Sequence, residues 1–285
     1  MADKEHYDLI VRNATIIDGT RAPRFHGEIG VRGDRIVKIG ALDGATADTE
    51  LDASGMIAAP GFIDAHTHDD RMLLSDPDMA PKASQGVTTV VTGNCGISLA
   101  HSPANGASTP PLDLLDGSGD WFRFPSFRAY REELAARPAA INATCLVGHT
   151  TFRVATMNKL DRAATSAEIA RMREMAHESL ASGAIGVSTG TAYPPAACAP
   201  TDEIVTSRPM AKPVNTVNCQ VRSGGISGRR LEAISKIVSR KISASTVADS
   251  DAPNSMLMNA SIIGLDGPSN DRPKMVSAVQ GIDPM

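Results

Sequence analysis

Pro60-Gly61-Phe62-Ile63-Asp64-Ala65-His66-Thr67-His68 is the stretch that decides the reading of this chain. An apolar run passes directly into two histidines one residue apart. In an extended segment side chains alternate with period two, so Asp64, His66 and His68 share one face, while Phe62, Ile63 and Ala65 are left for packing. Two neutral imidazoles aimed at one point are ordinary ligands of a catalytic zinc ion.

On the N-terminal side, residues 7–60 alternate short β-branched runs (DLIVRNATIIDGT, GEIGVRG, DRIVKIG) with Gly and Asp turns, which predicts several short strands. About 60 residues bury too little surface to be comfortable alone, so this part is expected to pack on the chain beyond Pro60. On the C-terminal side the pattern changes to apolar strands separated by helical stretches, as in a parallel sheet built from βα units. Strands are predicted at residues 62–68, 88–92, 143–147 and 185–188, each followed by a polar or glycine-rich loop. The clearest helix begins at the capping box Thr165-x-x-Glu168. It continues with Ile169, Met172, Ala176 and Leu180 on one face and stops at Gly183. A second helix is expected over 126–137, and the Ser/Pro/Gly-rich span 98–120 reads as a long loop.

Composition excludes several classes. The 285 residues are 42% hydrophobic and 21% charged, which is ordinary for a globular chain long enough for one α/β barrel. A net charge of −4 supplies no footprint for nucleic acid or for an anionic membrane. No apolar run approaches a bilayer span, the charged start MADKEHYDLIVRN does not read as an export signal, and four cysteines are too sparse for a disulfide framework. A cytoplasmic protein acting on a small molecule is the expectation.

The leader from DLIVRNATIIDGT to LDASGMIAAPGFIDAHTHDD resembles the start of the amidohydrolase superfamily. QGVTTVVTGNCGIS, LVGHTTFR and SGAIGVSTGTAYPP further resemble its N-acyl-D-amino-acid deacylase (D-aminoacylase) branch, the resemblance covering about residues 7–204. It implies an α/β fold in which a small β-sandwich domain (1–60) precedes a (β/α)8 TIM-type barrel, here partial (61–205). It also implies Zn2+ and a small-molecule N-acyl-D-amino-acid substrate, with no nucleic-acid or membrane partner and no indication of oligomeric state. At the motif position of Cys95 the branch has a zinc ligand, so His66, His68 and Cys95 are the implied metal ligands. A strand-end cysteine flanked by glycines suits that role, since a thiolate binds zinc strongly and glycine leaves room. The motif loop holding His149 lies near the substrate in the family. His149 is therefore assigned to substrate positioning, against the alternative of a satisfied loop histidine. Tyr193, in TAYPP, is assigned to the substrate carbonyl or oxyanion, against packing alone. Cys145, Cys198 and Cys219 read as ordinary cysteines, and His6, His26, His101 and His177 as surface residues.

Residues 206–285 break the pattern. They contain no aromatic residue and no histidine, and carry 10 Lys+Arg against 6 Asp+Glu. Only Leu231, Ile234, Val238 and Ile242 show helical spacing, without a regular succession of strands. The family's two further histidine ligands and its aspartate base are expected after residue 206, and Asp249, Asp251 and Asp266 match no such motif. Four more βα units of about 30 residues each need about 120 residues, and 95 follow residue 190. The expectation is an atypical tail joined near Val205 by a frameshift, splice or gene-model error, giving an unclosed and poorly soluble sheet. Two alternatives stand beside the deacylase: a catalytically dead chain that binds only metal or a subunit, and a cyclic-amide hydrolase such as a dihydroorotase or hydantoinase, which should carry lysine in place of Cys95.

Overall fold

The computed structural model describes residues 5–103, 110–207, 246–248, 257–264 and 274–277. The leader forms β1 (His6–Ile16), β2 (Phe25–Arg32), β3 (Arg35–Gly40), β4 (Thr46–Asp52) and β5 (Met56–Pro60). β1 is the organiser. It pairs antiparallel with β2, and parallel with β4 along its first half and with β5 at Thr15 and Ile16. Its alternation feeds two small cores: Val11, Ala14 and Ile16 join Ile29, Val31 and Ala58, while Tyr7 and Ile10 join Leu42 and Ala45. A strand that feeds a core on each face in this way spends most of its apolar side chains on packing.

The second layer is a four-stranded parallel sheet in the order β6 (Phe62–Asp64), β7 (Val87–Thr92), β8 (Asn142–Gly148), β9 (Gly186–Ser188). Helices α1 (Met72–Ser75) and α2 (Ala80–Ala83) lie between β6 and β7, and α3 (Phe127–Ala136) between β7 and β8. Helices α4 (His149–Thr156) and α5 (Ser166–Ala181) lie between β8 and β9, and α6 (Pro194–Ala197) and α7 (Thr201–Ser207) come after β9. Sequential strands paired in parallel through helical crossovers are the front of a (β/α)8 barrel, as the α/β partial-barrel reading expects. One contiguous core, running from Leu73 and Val90 through Leu134, Val147 and Phe152 to Met172 and Ala176, welds sheet to helices.

Local chemistry sets the helix ends. The Ser126 side chain accepts the Ala129 amide at the start of α3. At α5 the complete capping box of Thr165 and Glu168 forms. Such caps contribute about 1 kcal/mol each. Gly183, at φ 104°, lies just past α5, where the sequence places the stop.

Three differences from the sequence expectations stand out. β6 ends at Asp64, so His66 and His68 lie beyond the strand rather than on its face. The period-two sense persists because Thr67 is tied inward, its amide and hydroxyl both donating to Val91 O at 3.1 Å. His101 is buried, not superficial: one ring nitrogen donates to Pro125 O (3.0 Å) and the other lies 3.1 Å from Ser179 Oγ, pinning the loop after β7 to α5. The tail contributes strands where its sequence shows no strand pattern. β10 (Thr246–Ala248), β11 (Leu257–Gly264) and β12 (Lys274–Ser277) extend the leading sheet, with β11 antiparallel to β5. The helical spacing at 231–242 and the aspartates Asp249, Asp251 and Asp266 lie outside the described residues.

Candidate metal centre

The C-terminal ends of the four parallel strands carry the polar chemistry. Past β6, the chain presents His66 and His68 with rings 5.9 Å apart and nearly perpendicular. Past β7, the turn Gly93-Asn94-Cys95-Gly96 brings Cys95 Sγ to 3.0 Å from His66 Nε2. One ligand atom from each of the three residues lies within 4.8 Å of the others, and no carboxylate joins them among the described residues. His68 Nδ1 is buried without a hydrogen-bond partner. Burial and the neighbouring His66 hold the His68 pKa below the usual histidine value, which favours the neutral, ligating ring. An orphaned imidazole nitrogen beside a second imidazole and a thiol is a donor set that fits zinc.

Each half of the site is braced. Lys82, on α2, donates to Asp64 Oδ2 at 2.7 Å and lies 3.1 Å from Asp69 Oδ2, so one ammonium spans the two residues that flank the histidine pair. Asp64 also accepts the His66 amide at 3.4 Å, and its bond to Lys82 lowers its pKa. Asn94 Nδ2 donates to Val91 O (2.8 Å) and Thr67 O (3.4 Å), joining the histidine loop to the cysteine turn. Cys95 itself stands at φ 56°, between Gly93 and Gly96 at φ 72° and 80°. The turn is packed backbone to backbone: a Cβ at Gly93 would lie 2.0 Å from Leu146 O, and one at Gly190 would lie 2.3 Å from Cys95 O. Asp70, wholly buried, accepts the Gly93 amide at 3.2 Å, and desolvation raises its pKa to about 7.

The other two sequence candidates sit beside this turn. Tyr193 is half-buried, and its ring packs over Gly190, whose backbone abuts Cys95. His149 comes directly after Gly148, which touches the Gly96 backbone, but its ring is only 1% exposed. Its Nδ1 lies 3.2 Å from Thr189 Oγ1 and its Nε2 3.3 Å from Glu203 Oε1. Burial lowers the His149 pKa despite the adjacent carboxylate. Sequence reasoning did not single out the partners that surround it. Arg153, one helical turn along α4, is fully buried and bonded to Glu203, Pro195 O, Leu160 O and Arg162 O. The i, i+4 spacing of His149 and Arg153 is the one signal that could have paired them.

Residues 49–207 match the amidohydrolase family. D-aminoacylase of Alcaligenes xylosoxydans xylosoxydans is 56% identical over 212 residues, 74% of this chain and 43% of that protein. The N-acyl-D-aspartate deacylase of the same organism is 56% identical over 199 residues, 70% of this chain and 39% of its own length. The crystal structure of D-aminoacylase superposes with a TM-score of 0.68 at 53% identity, over 71% of this chain and 42% of that one. N-acyl-D-glutamate deacylase from Bordetella bronchiseptica, solved with zinc and a phosphonate inhibitor, gives 0.66 at 43%, again over 71% and 42%. This chain thus spans about two fifths of the length of the relatives it matches. With the family match running over more than half of the chain, this protein belongs to the amidohydrolase family.

Proposed function

We propose that His66, His68 and Cys95 form a zinc site that serves hydrolysis of the amide bond in N-acyl-D-amino acids, yielding a carboxylate and the free D-amino acid. The observation that carries this reading is the convergence of two imidazoles and a thiol from two adjacent strand ends. The relatives at 56% identity, named for D-aminoacylase and N-acyl-D-aspartate deacylase activity, support the substrate class. A cysteine at the turn after β7 favours this branch over cyclic-amide hydrolases, which should carry lysine there.

Zinc in this donor set would act as a Lewis acid that activates water and polarises the amide carbonyl. The protein's own part is preorganisation. The Lys82 brace and the packed glycine turn hold the donors in place, and the half-buried Tyr193 phenol, next to the turn, donates to the substrate oxygen. His149 serves the substrate at one remove, through Thr189 and the contact of Gly148 with Gly96, because its ring is buried. The same reading places a domain boundary near residue 60 and a junction near Val205. The family match ends at residue 207.

A second reading, metal binding without turnover, is favoured by one observation. No carboxylate joins the ligand cluster among the described residues, and Asp64 and Asp69 are both engaged by Lys82. One experiment separates the two: the zinc-loaded chain is incubated with N-acetyl-D- and N-acetyl-L-amino acids and free amine is measured. Stoichiometric zinc with release from the D series alone supports hydrolysis. Zinc without release supports the binding-only reading, and failure to bind zinc sinks both.

A further inference from the structure

We propose that Ser188 is the positioning residue for the Cys95 thiolate. This inference rests on the metal-centre reading and deepens it. Ser188 is the last residue of β9, about 90 residues away in sequence, yet its hydroxyl closes the cysteine turn at both ends. Ser188 Oγ donates to Gly93 O at 2.5 Å and accepts the Gly96 amide at 2.9 Å. The direction of the two bonds is unambiguous. The Gly96 amide can only donate and the Gly93 carbonyl can only accept, so the single hydroxyl proton goes to Gly93 and a lone pair faces Gly96.

This matters because the turn is not one that cysteine adopts by preference. Cys95 has a left-handed φ of 56°, a conformation that costs a side-chain-bearing residue energy and persists only where its surroundings dictate it. Gly93 and Gly96 are buried, so without Ser188 the carbonyl entering the turn and the amide leaving it lose a partner that water cannot readily replace. The loop after Ser188 completes the clamp from the same side, with Gly190 against the Cys95 carbonyl. The approach of Cys95 Sγ to His66 Nε2 is thus decided by a hydroxyl that is not itself a ligand. Such outer groups orient ligands, and losing one typically costs roughly 10- to 100-fold in metal affinity.

Cobalt(II) titration of the full 285-residue chain tests this, because the thiolate-to-cobalt charge-transfer band reports the Cys95 bond separately from the d–d bands of the whole site. Ser188→Ala is expected to weaken cobalt binding at least about tenfold and to lower the charge-transfer band relative to the d–d bands. Ser188→Thr, which keeps the hydroxyl on a strand-compatible side chain, is expected to restore both. Wild-type affinity and band ratio in Ser188→Ala would overturn the proposal. If that variant does not fold, Ser188→Thr and Ser188→Val, alike in shape, isolate the hydroxyl, and equal affinities or equal failure to fold in that pair also overturn it. A wild-type chain without the charge-transfer band, or one that Cys95→Ser matches in affinity, defeats the metal-centre reading itself.

Discussion

The ends of β6 and β7 and the end of β8 occupy equivalent places in the parallel sheet, yet they treat their histidines in opposite ways. At the first pair, His68 Nδ1 is left without a partner and His66 is exposed, so nitrogen lone pairs remain for something the protein does not itself supply. At β8, His149 is buried against Thr189 and Glu203, and Glu203 is held by Arg153 and the Ala164 amide. The first arrangement leaves donors free for a ligand, whereas the second consumes its charges internally. Strand-end position alone therefore does not identify a site, and because His149 Nε2, like His68 Nδ1, has no hydrogen-bond partner, the better criterion is several ligand atoms converging on one point.

The sharpest way to break this contrast is Arg153→Met. It strands a fully buried carboxylate, so a loss of about 3–5 kcal/mol in unfolding free energy is expected from denaturant titration. Cobalt affinity of the folded fraction should change far less. A loss below about 1 kcal/mol would mean that the β8 end is not a structural network. Lys82→Met tests the opposite case. Here the expected result is roughly tenfold weaker cobalt binding with little change in stability, since Lys82, Asp64 and Asp69 keep partial access to water. Unfolding at wild-type metal affinity would instead place the β6 loop in the same class as the β8 network.

The smallest effect calibrates both. Glu168 at the start of α5 has its pKa lowered to about 2, chiefly by Arg162 and then by the Thr165 cap. A carboxylate with a depressed folded pKa contributes stability that is complete above its unfolded value of about 4.5 and disappears as pH falls toward 2. Thermal melts of wild type and Glu168→Gln should differ by about 1 kcal/mol or less at pH 7 and converge between pH 4.5 and 2. A constant difference across that range would assign the effect to the shape of the capping box rather than to its charge.

Much of the architecture was readable from residues. The capping box at Thr165, the helix expected over 126–137 and the four parallel strands come from local pattern, because caps and hydrophobic period are written within a few residues of the element they control. The histidine pair and Cys95 stood out for the same reason, as unusual residue types at strand ends. What could not be read depends on distant parts of the chain. The strand expected through His66 and His68 ends at Asp64, and the alternation beyond it is kept only by the bonds of Thr67 to Val91 on the neighbouring strand. His101 looked superficial because its loop is polar, and only the packing of that loop on Ser179 buries it. The tail's strands carry no local signal, and β11 takes its place by pairing with β5.

Side chains close along the chain set the parallel βα order, the ends of α3 and α5 and the identity of three metal-type donors, and these could be read without the fold. Tertiary structure decided which donors remain available. Ser188 closes the cysteine turn, Lys82 spans the histidine loop, and Glu203 with Arg153 encloses His149. The physical reason is that satisfaction of a polar atom is a property of its three-dimensional neighbours. Residues up to 95 positions apart meet here, and no periodicity or motif spacing encodes their meeting.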